Sequence, residues 1–331
     1  MTTLVEQARA RWTAWGLPDR LPVSALTLSM KKEAAKATTV FLLDDRGAVV
    51  AVAKAARSTA GSAVLRAEAD AAIDWQSHGW SLVQATCPRV LALDEDVLWL
   101  SALPGRAMLV DYLSARHLAR PRAVVADFDR AGEWLDELHE QTRGPDTEVD
   151  VTALGEYLRE IADDALLAEL FGQAVAELAG VRVGTTAVHG DFWMGNLLMR
   201  RGHVSGVVDL ELSSSTGLPM YDVVKLPLSY ALYLDTVGAV RSRPGSWSHL
   251  AGFEEVFLGN GHLAAAAERF VRGRMVRLGV APTLLRGFLP LALAQQGLLQ
   301  RDDPVAADGY TQCLLSLARH RSCSWAWRSS S

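Results

Sequence analysis

Three polar residues in the middle of the chain have the types and spacing that chemistry needs. Asp191 is followed five residues on by Asn196, and Asp209 closes the short, mostly apolar run Val204–Val208. A carboxylate, an amide oxygen and a second carboxylate form the donor set that phosphoryl transfer from a nucleotide requires. One carboxylate receives or orients the attacking hydroxyl, while the amide oxygen and the other carboxylate hold magnesium on the phosphates. An isolated His189-Gly190-Asp191 also arises as a turn with a capping aspartate. The full set, with strand-like segments feeding both halves, favours the catalytic reading.

The elements between these residues explain how they would meet. Leu197–Arg200 and Val204–Val208 read as two strands, and Arg201-Gly202 reads as the tight turn between them. Folding the chain back at that turn sets Arg200 opposite His203. It then carries Asn196 to within about two residues of Asp209 across the pair. Asp191 precedes the hairpin, after the strand-like Thr185–Val188.

The stretch from Val188 to Leu226 resembles the signature of the aminoglycoside phosphotransferase and choline kinase-like family. That signature runs His-Gly-Asp, four variable residues and Asn, then Asp-x-Glu, then Gly-x-Pro and Tyr-Asp, here His189–Asn196, Asp209-Leu210-Glu211 and Gly217–Asp222. The resemblance is specific over these residues, looser over Ala48–Arg106, and only architectural elsewhere. It implies an α+β, two-lobed protein-kinase-like fold, with a small antiparallel-sheet N-lobe (residues 1–102) and a larger, mostly helical C-lobe (103–331). It implies Asp191 as catalytic base, Asn196 and Asp209 as magnesium ligands, and ATP as phosphoryl donor. Glu211 is either a contact to metal-bound water or a strand-end charge. Asp222 is structural in the family and reads here as a helix-start carboxylate after Pro219.

The amino-terminal third supplies the partners such a site needs. Ala25–Ser29, Thr38–Leu43 and Ala48–Lys54 read as strands, the last two joined by the turn-like Asp44-Asp45-Arg46-Gly47. Val50, Val52 and Lys54 share one strand face by the period of two. In the helical stretch Gly61–Trp75, the residues Leu65, Glu68, Ala72 and Trp75 form one stripe. A carboxylate on an apolar stripe needs a partner. Lys54 is one choice, Arg57 or water the others, and the resemblance implies the Lys54–Glu68 pair. The segment Met30–Ala37, which would cover the phosphates, holds no glycine; Lys31, Lys32 and Lys36 stand there instead, and how the phosphates are cradled is open. Leu98–Gly105 reads as a strand ending in a turn. By the same resemblance it joins the lobes, with the backbone from Ser101 to Leu103 meeting the adenine.

Beyond Gly105 the pattern is helical apart from the central hairpin. Helices are expected at Val124–Gln141, Glu156–Leu178, Pro219–Leu234, Trp247–Leu258, His262–Leu278, Ala281–Leu299 and Ala306–His320. At 331 residues the chain should bury about three-quarters of its unfolded surface, and with half of its residues hydrophobic it is not a disordered scaffold. The start Met1–Glu6 has neither a basic region nor an apolar signal core. No apolar stretch reaches membrane-spanning length, and three widely spaced cysteines suit reduced thiols. The expectation is a cytoplasmic protein without a membrane or nucleic-acid partner, the net charge of −5 arguing weakly against the latter.

Together these features predict an ATP- and magnesium-dependent phosphotransferase acting on a hydroxyl of a small molecule. An aminoglycoside or other antibiotic is favoured, with a sugar or amino alcohol as alternatives. Gly190 rather than an arginine stands between His189 and Asp191, Asp209-Leu210-Glu211 replaces the protein-kinase Asp-Phe-Gly, and no Ala-Pro-Glu element follows, which disfavours a protein substrate. Acidic pairs such as Glu254-Glu255 and Asp302-Asp303 could grip a polyamine, and Phe192 and Trp193 either wall an acceptor pocket or pack in the core. The competing expectation is a nucleotide-binding regulatory module without turnover, kept alive by the glycine-free loop.

Overall fold

The computed structural model describes residues 3–18, 20–28, 37–112, 114–161, 164–234 and 249–327. Residues 30–36 of the segment expected over the phosphates, with their three lysines, lie outside the described residues, as do Ser29 and Trp247. The chain divides into two compact units. The first comprises residues 1–106, His189–Asp191 and Leu198–Ser215; the second comprises Ala107–Val188, Phe192–Leu197 and Thr216–Ser331.

The first unit is built on one antiparallel sheet. Its elements are α1 (Leu4–Arg11), β1 (Ser24–Leu28), β2 (Ala37–Leu43), β3 (Val49–Ala56), α2 (Thr59–Ser77), α3 (Ser81–Thr86), β4 (Val90–Leu93) and β5 (Val97–Ser101), with strand order β1-β2-β3-β5-β4. The β2–β3 turn forms where Asp44 stands. Its Oδ1 accepts the N–H groups of Arg46 and Ala48 at 2.9 and 2.8 Å, and Gly47 takes φ +75°. The two sheet faces bury different partners. Ala51, Ala53 and Trp99 pack with Ala8 and Trp12 of the α1 region, whereas Leu98 and Leu100 pack with Leu65 and Ala69 of α2. Ser58 caps α2 by accepting from Gly61, and the expected stripe of Leu65, Glu68, Ala72 and Trp75 is buried.

The sequence reading missed α1. Its start carries a full capping box, in which Thr3 accepts from the Glu6 amide while Glu6 accepts from Thr3, and Arg11 holds Asp94 with two bonds of 2.8 and 2.7 Å.

The second unit is largely helical. After β6 (Arg106–Ala107) come α4 (Met108–Tyr112), α5 (Ala115–Leu118), α6 (Pro121–Thr142), β7 (Asp146–Glu148), α7 (Thr152–Glu160), α8 (Ala165–Leu178), β8 (Arg182–Gly184) and β9 (Thr186–Val188). The hairpin strands β10 (Leu197–Arg200) and β11 (His203–Val207) come next in the chain and, from Leu198 on, belong to the first unit; after β12 (Ser214–Gly217) the second unit resumes with α9 (Met220–Tyr233), α10 (Leu250–Phe257), α11 (His262–Arg277), α12 (Leu285–Leu299) and α13 (Pro304–His320). The helix expected over 156–178 is two helices. Asp164 caps a new start by accepting from Leu166 and Leu167 at 2.9 and 3.1 Å. The helix expected from Ala281 begins at Leu285, after a 3₁₀ turn at Pro282–Leu284. Helix α12 packs against α7, α8, α9 and α13 and is apolar nearly all round, as a surrounded helix must be. No helix among the described residues is long and apolar enough to cross a membrane.

Inside this unit His139 on α6 is buried, and its Nε2 has no hydrogen-bond partner among the described residues. Burial, with the Arg274 guanidinium adding to it, pushes the imidazole down to about 4. The unfolded chain takes up a proton here below about pH 6.5, the folded unit only near 4. The stability this group confers is therefore full above pH 6.5 and is lost as pH falls toward 4, by on the order of 3 kcal/mol. Urea unfolding at pH 7 and pH 4.5 should show a smaller drop for His139→Gln than for the parent chain. Equal drops would remove His139 from the account.

Candidate functional site

The first part of the site lies in the sheet unit. Period-two alternation and antiparallel register set Leu28, Thr39, Lys54 and Leu98 in one row across β1, β2, β3 and β5, and Leu26, Phe41, Val52 and Leu100 in the next. This is the face that α2 covers at Leu98 and Leu100. Farther along the rows, Leu26 and Leu28 are 56% and 52% exposed. The result is a bare apolar platform beside a lysine. Register alone reveals it, and the sequence reading assigned these leucines no role.

Lys54 Nζ donates to both oxygens of Glu68, at 2.6 and 2.7 Å, and also to Asp209 Oδ1. Lys54 and Glu68 are nearly buried, while the Asp209 carboxylate is 45% exposed. Burial alone would lower the Lys54 pKa; Asp209 and Glu68 overcome it and raise the net value. Glu68 is raised as well, first by burial, with Lys54 opposing and Asp209 and Glu211 adding to it. The Lys54 shift comes from the two carboxylates beside it and the Glu68 shift chiefly from burial, and the one ammonium is shared between Glu68 and Asp209. A site short of positive charge and offering hard oxygen donors fits a divalent cation such as Mg²⁺. Among the described residues no three His, Cys, Asp or Glu side chains converge as a metal cage. Magnesium held between protein and phosphate does not need one, because one or two carboxylates and the phosphate oxygens suffice.

The backbone that presents Asp209 is unusual. Asp209 has φ +64°, a left-handed conformation that aspartate and asparagine tolerate better than other side chains. Just before it, the Val208 carbonyl accepts from His189 Nε2 at 2.9 Å, and His189 Nδ1 accepts the Asp191 N–H at 3.3 Å. These two bonds fix the tautomer with hydrogen on Nε2. The fully buried His189 thus braces the Asp191 backbone against the strand end that leads into Asp209. Gly190 has φ +77°, and a Cβ there would lie 2.3 Å from the Leu212 carbonyl oxygen. Gly190→Ala is therefore expected to destabilise the first unit by at least about 2 kcal/mol. Thermal unfolding measures this, and a midpoint equal to the parent's would contradict the strained geometry.

The turn between β10 and β11 forms at the expected pair, with Arg201 at φ 53° and Gly202 at φ 84°, the signs of a type I′ turn. Asn196 belongs to the helical unit. Its side chain is buried and its N–H donates to the Trp193 carbonyl at 2.9 Å. Phe192 is fully buried and stacks on Trp134 at 5.5 Å, so it packs in the core; Trp193 stacks on Tyr233 at 5.3 Å. Of the acidic pairs, Glu254 accepts from the Ser316 hydroxyl and Asp303 caps α13. Both are occupied in helix packing and capping.

Ser101 ends β5. Its N–H donates to the Arg89 carbonyl and its Oγ accepts the Arg89 N–H, each at 2.9 Å, so the Ser101 amide is already engaged. Leu103 follows and lies close to Gly206 of the hairpin, where a Cβ would sit 3.1 Å from the leucine.

A five-stranded antiparallel sheet whose β3 lysine is held by a helix glutamate, together with a largely helical second unit, defines a protein-kinase-like fold. Within that class the chain belongs to the phosphotransferase enzyme family, whose profile matches residues 33–243. Membership supports a phosphotransferase-like enzymatic role. Among solved structures, the chain is similar to a thermostable mutant of aminoglycoside phosphotransferase APH(4)-Ia in ternary complex with ADP and hygromycin B. That match has 14% identity, 90% of this chain and 94% of that one covered, and a TM-score of 0.53. It is equally similar in fold to the macrolide 2'-phosphotransferase MphH from Brachybacterium faecium, at 14% identity, 94% and 97% coverage and a TM-score of 0.53. The streptomycin–ATP–APH(2")-IIa ternary complex matches at 14% identity, 97% and 99% coverage and a TM-score of 0.51. At such identities the likeness is one of fold. No curated protein matches the chain.

Proposed function

We propose that this protein is an ATP- and magnesium-dependent kinase for a hydroxyl group of a small molecule. The observation that carries the reading is the Lys54 ammonium held by Glu68 and shared with Asp209. A lysine anchored from behind by a buried carboxylate is fixed where a polyphosphate needs a cation. Residues 1–102 take the nucleotide. The apolar rows at Leu26, Phe41 and Val52 give the adenine a platform, and the Ser101 carbonyl with the Leu103 backbone gives it hydrogen bonds. Asn196 and Asp209 would hold Mg²⁺, which when bound neutralises charge on the β- and γ-phosphates. Residues 103–331 carry the acceptor.

Asp191 accepts a hydrogen bond from the acceptor hydroxyl and orients its oxygen toward the γ-phosphorus. The new O–P bond forms as the bond to the β–γ bridging oxygen breaks. ADP leaves, and the hydroxyl proton passes to Asp191 late, as a loose transition state requires. The same reading takes the protein to be cytoplasmic, where ATP is at hand. The favoured acceptor in this reading is an antibiotic hydroxyl, ahead of a sugar or amino alcohol; neighbours of the same fold captured with hygromycin B and streptomycin are in keeping with it.

Labelled ATP, magnesium and a panel of antibiotics, sugars and amino alcohols test the proposal. Transfer to one of them supports it. Thermal stabilisation by magnesium-ATP with no transfer to any compound would favour a regulatory module instead.

A further inference from the structure

Two register irregularities fall at the same end of the five-stranded sheet. Leu42 opposes Ala51 and Leu43 opposes Val49, which leaves Val50 as an extra residue on β3. Val90 opposes Leu100 and Ala92 opposes Trp99, which leaves Leu91 as an extra residue on β4. A bulge bends its strand and re-aims side chains that strict alternation would send to opposite faces. Here the consecutive residues Val49 and Val50 both line one cavity of about 350 Å³. Trp12 and Leu17, from the chain just after α1, complete its apolar wall. The cavity lies on the α1 side of the sheet, the side of Trp99, and not on the side where Lys54 meets Glu68.

Among the described residues that line this cavity the charged ones are both arginines, with Ser101 the remaining polar one. Arg20 and Arg89 line it, both exposed. Arg20 makes only a long contact, 3.5 Å, to Asp44, and Arg89 has no acidic partner among the described residues. The Arg89 backbone is pinned to Ser101 by two bonds of 2.9 Å, so its guanidinium stands on a rigid base. Trp12 Nε1 is already satisfied by the Pro18 carbonyl at 2.7 Å. A neutral polar ligand therefore finds few open partners, whereas an apolar body with an anionic head finds both walls and charge. The volume is that of the smaller known ligand pockets.

We propose that this bulge-built cavity is a second binding site, specific for a small organic anion with a compact aromatic or branched apolar body and one carboxylate. The site rests on the sheet unit alone and does not depend on the kinase reading.

The test uses the full chain, ¹⁵N-labelled, with naphthalene-1-carboxylate as probe and naphthalene-1-methanol as its uncharged counterpart. The readout is the Trp12 indole N–H resonance, assigned through Trp12→Phe. The carboxylate should shift that resonance saturably and bind about tenfold more tightly than the alcohol, as expected for one charge-assisted contact. Arg89→Met changes an exposed side chain that has no acidic partner among the described residues and should weaken the carboxylate about tenfold. Equal affinity for the two probes, unchanged binding in Arg89→Met, or a Trp12 resonance unmoved up to the solubility limit would overturn the site.

Discussion

Asp191→Asn is expected to bind nucleotide as the parent protein does and to turn over its acceptor on the order of 10²–10⁴-fold more slowly. The substitution keeps the side chain's size and removes its charge. The Asp191 N–H still reaches His189 Nδ1, Gly190 still makes the left-handed turn, and His189 still donates to the Val208 carbonyl. Folding should survive for those reasons. An amide cannot take the acceptor proton, and it offers the hydroxyl a much weaker acceptor than a carboxylate does. Steady-state turnover with the acceptor found in the panel, together with ADP affinity by calorimetry, separates the two effects. Full activity in this variant would refute the base assignment, and loss of ADP binding would assign Asp191 to the nucleotide instead.

Asp209→Asn should uncouple nucleotide binding from magnesium. In the parent chain, ATP is expected to bind far more tightly with the metal than without it. In the variant the two affinities should converge, with the magnesium-dependent part falling at least about tenfold. Asparagine is the informative replacement because Asp209 sits at φ +64°, which asparagine tolerates. Alanine would add a backbone cost of about 1 kcal/mol and confuse stability with binding. Lys54 keeps both bonds to Glu68 in the variant, so its position is retained. Magnesium titrations of ATP affinity that match those of the parent would remove Asp209 from the metal.

Several parts of this arrangement were legible from residues alone. The β10–β11 hairpin was readable because Arg201-Gly202 stands between two strand-like runs and the turn's backbone chemistry is local. The Lys54–Glu68 contact was within reach because two periodicities, two on β3 and about 3.6 on α2, each put a charge on a buried face. The Lys54–Asp209 contact was not, since it joins residues 155 apart in sequence and no local pattern fixes such a meeting. The platform at Leu26, Phe41 and Val52 depends on cross-strand register, which becomes readable only when the pairing is known. The break between α7 and α8 turned on one capping residue, Asp164, inside an otherwise continuous apolar pattern. The missed α1 is a different case: its Thr3 and Glu6 signal lay in plain view, but the helix is short and weakly amphipathic.

The shared grip on Lys54 has a consequence for anyone designing an inhibitor. A compound that brings its own anion to this lysine must first prise away the Asp209 carboxylate, and part of its binding energy goes into that exchange. An uncharged scaffold that lies along the bare leucines of β1 and stops short of the ammonium leaves the exchange unmade. For a given contact area, neutral chemotypes should therefore start ahead of phosphate mimics.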